Sequence, residues 1–235
     1  MKPSSRLART FFAACALTIV VACMVALLSA CSSAPVPDWQ SNAQDSIERS
    51  LQAYLAGNAR VDTQEFARAR SEVARTGRAD LLARVELMHC AGQVASLEPG
   101  ECTGFEKLRA DAAVSERAYA DYLAGRLPPA DIALLPAQHR AVGALVAGAN
   151  DAAVTDALNA IADPMPRLVA AGVLFRRGLA NPAVLVAAVD TASSQGWRRP
   201  LLAWLGVERM RAEKAGDAVA AERVRRRMQL VQEGG

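Results

Sequence analysis

The sequence predicts an all-α protein, a bundle or short α-solenoid of roughly nine to eleven short helices, and three observations carry that prediction. Apolar residues recur at helical spacing through almost the whole of residues 44–235. Gly, Pro, Asn and Asp punctuate this spacing at short intervals, where helices begin and end. Aromatic residues make up only 5% of the chain while Ala and Leu abound, which favours helix over sheet, and no period-two alternation of useful length intervenes.

Residues 1–30 read as a leader set apart from this body. Lys2, Arg6 and Arg9 precede an apolar run over 11–30, with no acid among them, the order of regions in a secretory signal. The run closes on Leu28-Ser29-Ala30-Cys31, which resembles the lipobox of bacterial lipoproteins. The resemblance implies cleavage between Ala30 and Cys31 and acylation of Cys31, palmitate included, as the first mature residue. At about 0.8 kcal/mol per buried methylene, the three acyl chains of such an anchor hold a protein to the membrane in effect permanently, where one chain is marginal. In families with this signal an aspartate after the cysteine retains the protein at the inner membrane. Here the residue is Ser32, which implies the outer membrane, facing the periplasm. Two readings stay open beside it. One is an ordinary secretory cut after Ser32-Ser33-Ala34, opposed by Pro35; the other is an uncleaved helix, since the 20 apolar residues are about enough to span a bilayer.

Residues 31–43, rich in Ser, Pro and Ala and broken by Pro35 and Pro37, predict an extended tether before a helical domain over 44–235. Trp39 is expected either among lipid headgroups or over the edge of the core. The leader carries three of the 27 basic residues and none of the 24 acidic ones, so the remainder is formally neutral and offers no nucleic-acid footprint. Of the five cysteines, Cys15 and Cys23 belong to the leader and Cys31 to the anchor. Cys90 and Cys102 remain. In an oxidising periplasm they pair most simply as a disulfide across Leu97-Glu98-Pro99-Gly100, with unpaired buried thiols as the alternative. His89 and Glu101 adjoin them, yet no metal-ligand spacing appears, and no metal or other cofactor is expected.

Along the body, Ile47, Leu51, Tyr54 and Leu55 predict a first helix ended by a left-handed cap at Gly57-Asn58. Phe66 and Ala69 mark the inward side of a second helix over 63–75, and Leu81, Leu82, Val85, Met88 and Ala91 that of a third over 80–94. Helices over 105–112 and 115–127 follow, the latter with Tyr119, Tyr122 and Leu123 inward. Pro128-Pro129 breaks the chain and makes a sub-boundary near 127–137 possible; a short piece at 132–135 leads through Pro136 to a helix over 138–146. Asn150 suits the cap of the next, which presents Val154, Leu158 and Ile161.

Asp163-Pro164 and Asn181-Pro182 each set a capping side chain before a proline at the first helical position. The segments they open, 168–175 and 184–189, are apolar almost all round and belong at the centre. Gly196-Trp197 turns into a helix over 201–215, and Gly216-Asp217 into a last helix over 218–232. Tyr54-Leu55-Ala56-Gly57-Asn58 recurs as Tyr122-Leu123-Ala124-Gly125-Arg126, displaced by 68 residues. Trp204-Leu205-Gly206 with Ala215-Gly216-Asp217 and Ala220-Ala221 resembles part of a tetratricopeptide repeat, echoed by Phe66 and Ala69 near the other end. Leu205-Gly206 abuts Trp204 directly, however, and Arg211 and Asp62 stand where that family has an aromatic and a small residue. The resemblance implies packed helical hairpins at the two ends of the body.

Enzymes need a nucleophile, a base and an orienting group within reach. His89 and His139 are the chain's two histidines, both on helix-patterned segments, and no G-x-S-x-G, H-E-x-x-H or phosphate-binding loop occurs; no enzyme is expected. Arg223, Arg225, Arg226 and Arg227 cluster on the last helix, with 225 roughly opposite the other three. Together with Arg198 and Arg199 they form a candidate basic face for anionic lipid or an acidic protein, against a solvated helix end that the dipole favours. The expected function is a lipid-anchored helical module of the cell envelope that binds a protein partner. The alternative is a lipid or other small envelope molecule held in a cavity between the apolar helices of 164–189.

Overall fold

The computed structural model describes residues 36–234, so the leader, Leu28-Ser29-Ala30-Cys31 and the first part of the expected tether lie outside the described residues. From Asp38 onward the chain forms one all-α unit. It contains α1 (Asp38–Ala56), α2 (Ala59–Ala74), α3 (Ala79–Ala95), α4 (Thr103–Glu106), α5 (Val114–Leu123), α6 (Arg140–Gly143), α7 (Asp151–Asn159), α8 (Pro164–Arg176), α9 (Pro182–Ser194), α10 (Arg198–Lys214) and α11 (Ala218–Glu233). Two 3₁₀ segments, Pro129–Leu134 and Ala137–His139, bridge α5 and α6.

α1 begins at Asp38, inside the expected tether and ahead of the expected domain start at 44. Trp39 and Ala43 continue the stripe of Ile47 and Leu51 backwards at i−4 steps, while Gln40, Ser41, Asn42 and Gln44 face solvent. Those polar side chains disguised a helix as a linker. α2 likewise starts at Ala59 because the Asn58 side chain accepts from Val61 N.

The two copies of Tyr-Leu-Ala-Gly close α1 and α5 in the same way. Gly57 and Gly125 take φ of +84° and +75°, and the following amides reach back five residues, Asn58 N to Ala53 O at 2.8 Å and Arg126 N to Asp121 O at 2.9 Å. That closure ends α5 at Leu123, short of the expected 127. The helix expected over 105–112 is a single turn, Thr103–Glu106, followed by turns, because Arg109 folds back onto Glu106 and Asp121.

Asp163 and Asn181 cap α8 and α9 as expected, accepting from Met165 N and Val184 N, with proline at the first helical position of each. α8 is the centre of the molecule. Its Leu168, Val169, Ala170, Ala171, Val173 and Leu174 are buried, and a Cβ added at Gly172 would overlap the Val94 carbonyl oxygen, so glycine here permits α8 to lie directly on α3.

One core runs from α3 to α11 and includes Leu135 and Val142, so it passes through the region where a sub-boundary near 127–137 was possible. A smaller core joins Ala43 and Ile47 of α1, Ala69 and Val73 of α2 and Val85 of α3, with Trp39 and Phe66 packed on its edge. In a solenoid each unit touches its sequence neighbours. Here α3 also packs on α8 and α1 on α10, which makes the architecture an irregular bundle. Gly206, in the segment resembling a tetratricopeptide repeat, has open space around it rather than a closely packed helix. Trp204 of that segment is fully buried and donates from Nε1 to Ala95 O at 3.0 Å, closing the end of α3.

Candidate functional site

Two different surfaces flank α3. On one, Leu82, Glu86, His89, Cys90 and Gln93 share a helix face and form the wall of a polar cleft of about 420 Å³, opposite Phe66 and Arg70 of α2 and the segment from Cys102 to Leu108. Glu86 is only 9% exposed. Arg70 Nε lies 2.7 Å from its Oε1, and a Cβ added at Gly104 would overlap Oε2. The third wall is held by the Cys90–Cys102 disulfide, whose Cα atoms are 5.5 Å apart; the pairing expected from the sequence is present.

The loop inside the disulfide is pinned as well. Arg176 donates to Glu98 O at 2.7 Å and to Gly100 O at 2.9 Å. Arg199 Nη1 lies 3.3 Å from Glu98 Oε1, and its Nε donates to Tyr54 O at 2.8 Å with the guanidinium 4.4 Å from the Tyr54 ring centre. Burial and the nearby Glu98 raise the Tyr54 hydroxyl well above the usual tyrosine range.

His89 edges the same cleft. Its ring stacks on Phe66 with centres 4.1 Å apart, and Nε2 lies 3.0 Å from Asp62 Oδ1, which also accepts from Ser50 Oγ at 2.7 Å. The carboxylate therefore stands between hydroxyl and imidazole. Ser50 thus faces the carboxylate and not the imidazole, which differs from the order of a nucleophile–imidazole–acid chain. Sequence reasoning missed the cluster, although Asp62 and Glu86, two acids in inward register on otherwise apolar faces, were its signal. His139 belongs to the core instead. Its Nδ1 is 3.1 Å from the Tyr122 hydroxyl, Tyr119 packs on its ring, and burial lowers its pKa to about 4.

The second surface is apolar. Trp39, Ala43 and Ile47 of α1 and Leu81, Val85 and Met88 of α3 line a cleft of about 410 Å³. A cleft of about 370 Å³ adjoins it, lined by Leu87, Met88, Tyr119, Leu134 and Leu135, and the two share Arg84 and Met88. Met88, expected inward, is 38% exposed and Leu134 is 39% exposed. Met88 falls between the two cores that α3 serves, so neither covers it. Arg84 spans the junction and pairs with Glu116 at 2.6 Å.

Cys31 and Ala30 lie outside the described residues. Of the arginines expected to form a basic face, Arg225 and Arg226 both pair with Glu222, and Arg227 pairs with Glu208 at 3.7 Å. Arg223 is exposed and Arg199 is spent on Tyr54 and Glu98. Acids thus offset much of the charge on that face. The helices of 164–189, expected to wall an apolar cavity, are instead packed into the core, and the clefts of 370–420 Å³ lie around α3. Among the described residues no group of three His, Cys, Asp or Glu side chains is arranged to hold a metal ion, and no helix is long and apolar enough to cross a membrane.

No protein-family model, curated protein or solved structure matches this chain.

Proposed function

We propose that this protein is a bacterial lipoprotein, anchored through Cys31 at the periplasmic face of the outer membrane, whose helical body binds a protein partner along the apolar face of α3. The binding half rests on one observation. Two mainly apolar clefts adjoin at Met88, bridged there by Arg84, and between them they open onto apolar side chains from Trp39 to Leu134. Exposed apolar surface rimmed by polar residues marks interaction sites in soluble domains, and an amphipathic helix or hydrophobic loop of a partner is the matching shape. The anchor half rests on Leu28-Ser29-Ala30-Cys31 at the end of its apolar run.

Photo-crosslinking in intact cells tests the binding half. A crosslinking amino acid at Met88 or Leu134 is expected to trap the same partner, while one at Val219, which is 71% exposed on α11, traps none, and Leu134→Asp prevents the adduct at 88. Equal adducts from 88 and 219 would overturn the assignment. For the anchor, radiolabelled palmitate should enter the wild-type chain and not Cys31→Ser, which should leave the membrane fraction.

A second reading has its own support in the dominantly apolar lining of the 410 Å³ cleft, whose volume is within the usual range of small-molecule sites, roughly 300–1,000 Å³. In that reading the ligand is a lipid chain lying against Trp39 and Ile47. Native mass spectrometry separates the two, since a co-purifying lipid lost in Ile47→Asp supports the lipid and a bare protein opposes it.

A further inference from the structure

The polar cleft between α2, α3 and α4 takes no part in the anchor or in the apolar face. Its floor is the Glu86 carboxylate, with Oε1 held by Arg70 and Oε2 turned toward Gly104 without a protein donor among the described residues. This carboxylate oxygen opens onto the cleft from a side chain that is otherwise buried, and a charged hydrogen-bond donor is its strongest complement. At the rim stands Lys107, which is exposed, and the acid next to it in the chain, Glu106, is taken by Arg109. Phe66 and Leu108 supply apolar wall between floor and rim. Glu86 and Arg70 neutralise one another, so a simple amine would reach Oε2 against the field of Lys107, and a simple acid would meet Glu86. A molecule carrying both charges satisfies both ends.

We propose that this cleft binds a small zwitterion of the α-amino-acid class with an apolar side chain. The ammonium donates to Glu86 Oε2, the carboxylate accepts from Lys107, and the side chain lies on Phe66 and Leu108. A cleft of about 420 Å³ is large enough for such a ligand. Gly104 is a requirement of the site, because the Glu86 carboxylate itself fills the space that a methyl group there would need, and an added Cβ would displace it from the floor of the cleft.

Calorimetric titration of the full chain in detergent with leucine, 3-methylbutylamine and 4-methylpentanoate tests this, because the latter two lack one charge each. Leucine should bind saturably and each truncated analogue about tenfold or more weakly, the usual consequence of losing a charge-assisted hydrogen bond. Lys107→Ala should weaken leucine about tenfold and leave the amine unweakened, and Glu86→Gln should abolish both. Gly104→Ala should block leucine, with its melting curve showing that the fold persists. The Lys107 side chain is exposed, so Lys107→Ala stays folded and tests the site even where Glu86→Gln does not fold. No saturable leucine binding, analogue binding equal to that of leucine, or leucine affinity unchanged in Lys107→Ala would overturn the proposal.

Discussion

His139 sets an acid limit on stability. It is 2% exposed, and burial holds its pKa at about 4, below the 6.5 or so of an unfolded chain. The unfolded state therefore binds a proton first as pH falls. The full contribution of the neutral ring is present above pH 6.5 and is lost as pH drops toward 4. With Nδ1 unprotonated the Tyr122 hydroxyl can donate to it; protonation removes that acceptor from a site that water does not reach. Between pH 7.5 and 4.5 the wild type should lose about 2.5 kcal/mol more unfolding free energy than His139→Gln, measured by urea titration at both pH values. A parallel decline in the two proteins would refute this. Residue roles were legible in the sequence where they act on near neighbours, as the caps Asn150, Asp163 and Asn181 do. Ser50, Asp62 and His89 were not, because it takes the packing of three successive helices to bring together residues 12 and 27 positions apart.

At the scale of elements, caps and crosslinks carry more than their local share. Asn181 caps α9 through Oδ1, and its Nδ2 donates to Asp151 O at 3.0 Å, tying α9 to the start of α7. Asn181→Ala should therefore cost about 2 kcal/mol, above the roughly 1 kcal/mol of an ordinary cap; Asn150→Ala, whose side chain serves only its own helix, is the control, and chemical denaturation of the pair measures the difference. Replacing both Cys90 and Cys102 by Ala should remove about 3 kcal/mol in the chain-entropy model for a loop of this size, because the bridge constrains the unfolded chain while the arginines pinning Glu98 and Gly100 keep the native loop ordered without it. A much smaller loss would mean that the native loop gains freedom once the bridge is gone. The longer helices followed from periodicity, whereas the shorter ones and some boundaries did not: the helix expected over 138–146 is only Arg140–Gly143 behind a 3₁₀ turn, polar residues hid the start of α1, and Arg109 cut α4 to one turn.

On the scale of the whole molecule, the ends of the body support its middle. α10 packs on α1, Trp204 donates to the last carbonyl of α3, and Arg199 joins α10 to Tyr54 and Glu98. These links, between residues about a hundred or more positions apart in the chain, are what the repeat-like spacing did not reveal. They also make a sharp distinction between architectures. If units stack only on neighbours, deleting residues 198–235 shortens the protein and lowers its denaturant dependence in proportion, while the remainder still unfolds cooperatively. In the bundle the same deletion takes Trp204 out of the core and off the Phe175 ring, leaves Ala95 O without its indole donor and strips Tyr54 of its guanidinium. Buried groups left unpartnered and apolar surface returned to water each cost kilocalories, against a total stability of about 5–15 kcal/mol. The shortened chain should then lose its cooperative thermal transition and much of its helical circular dichroism, while Arg223→Ala, on the exposed side of α11, leaves both unchanged. A sharp transition surviving the deletion would return the fold to the solenoid class and free the two faces of α3 from dependence on the carboxy-terminal hairpin.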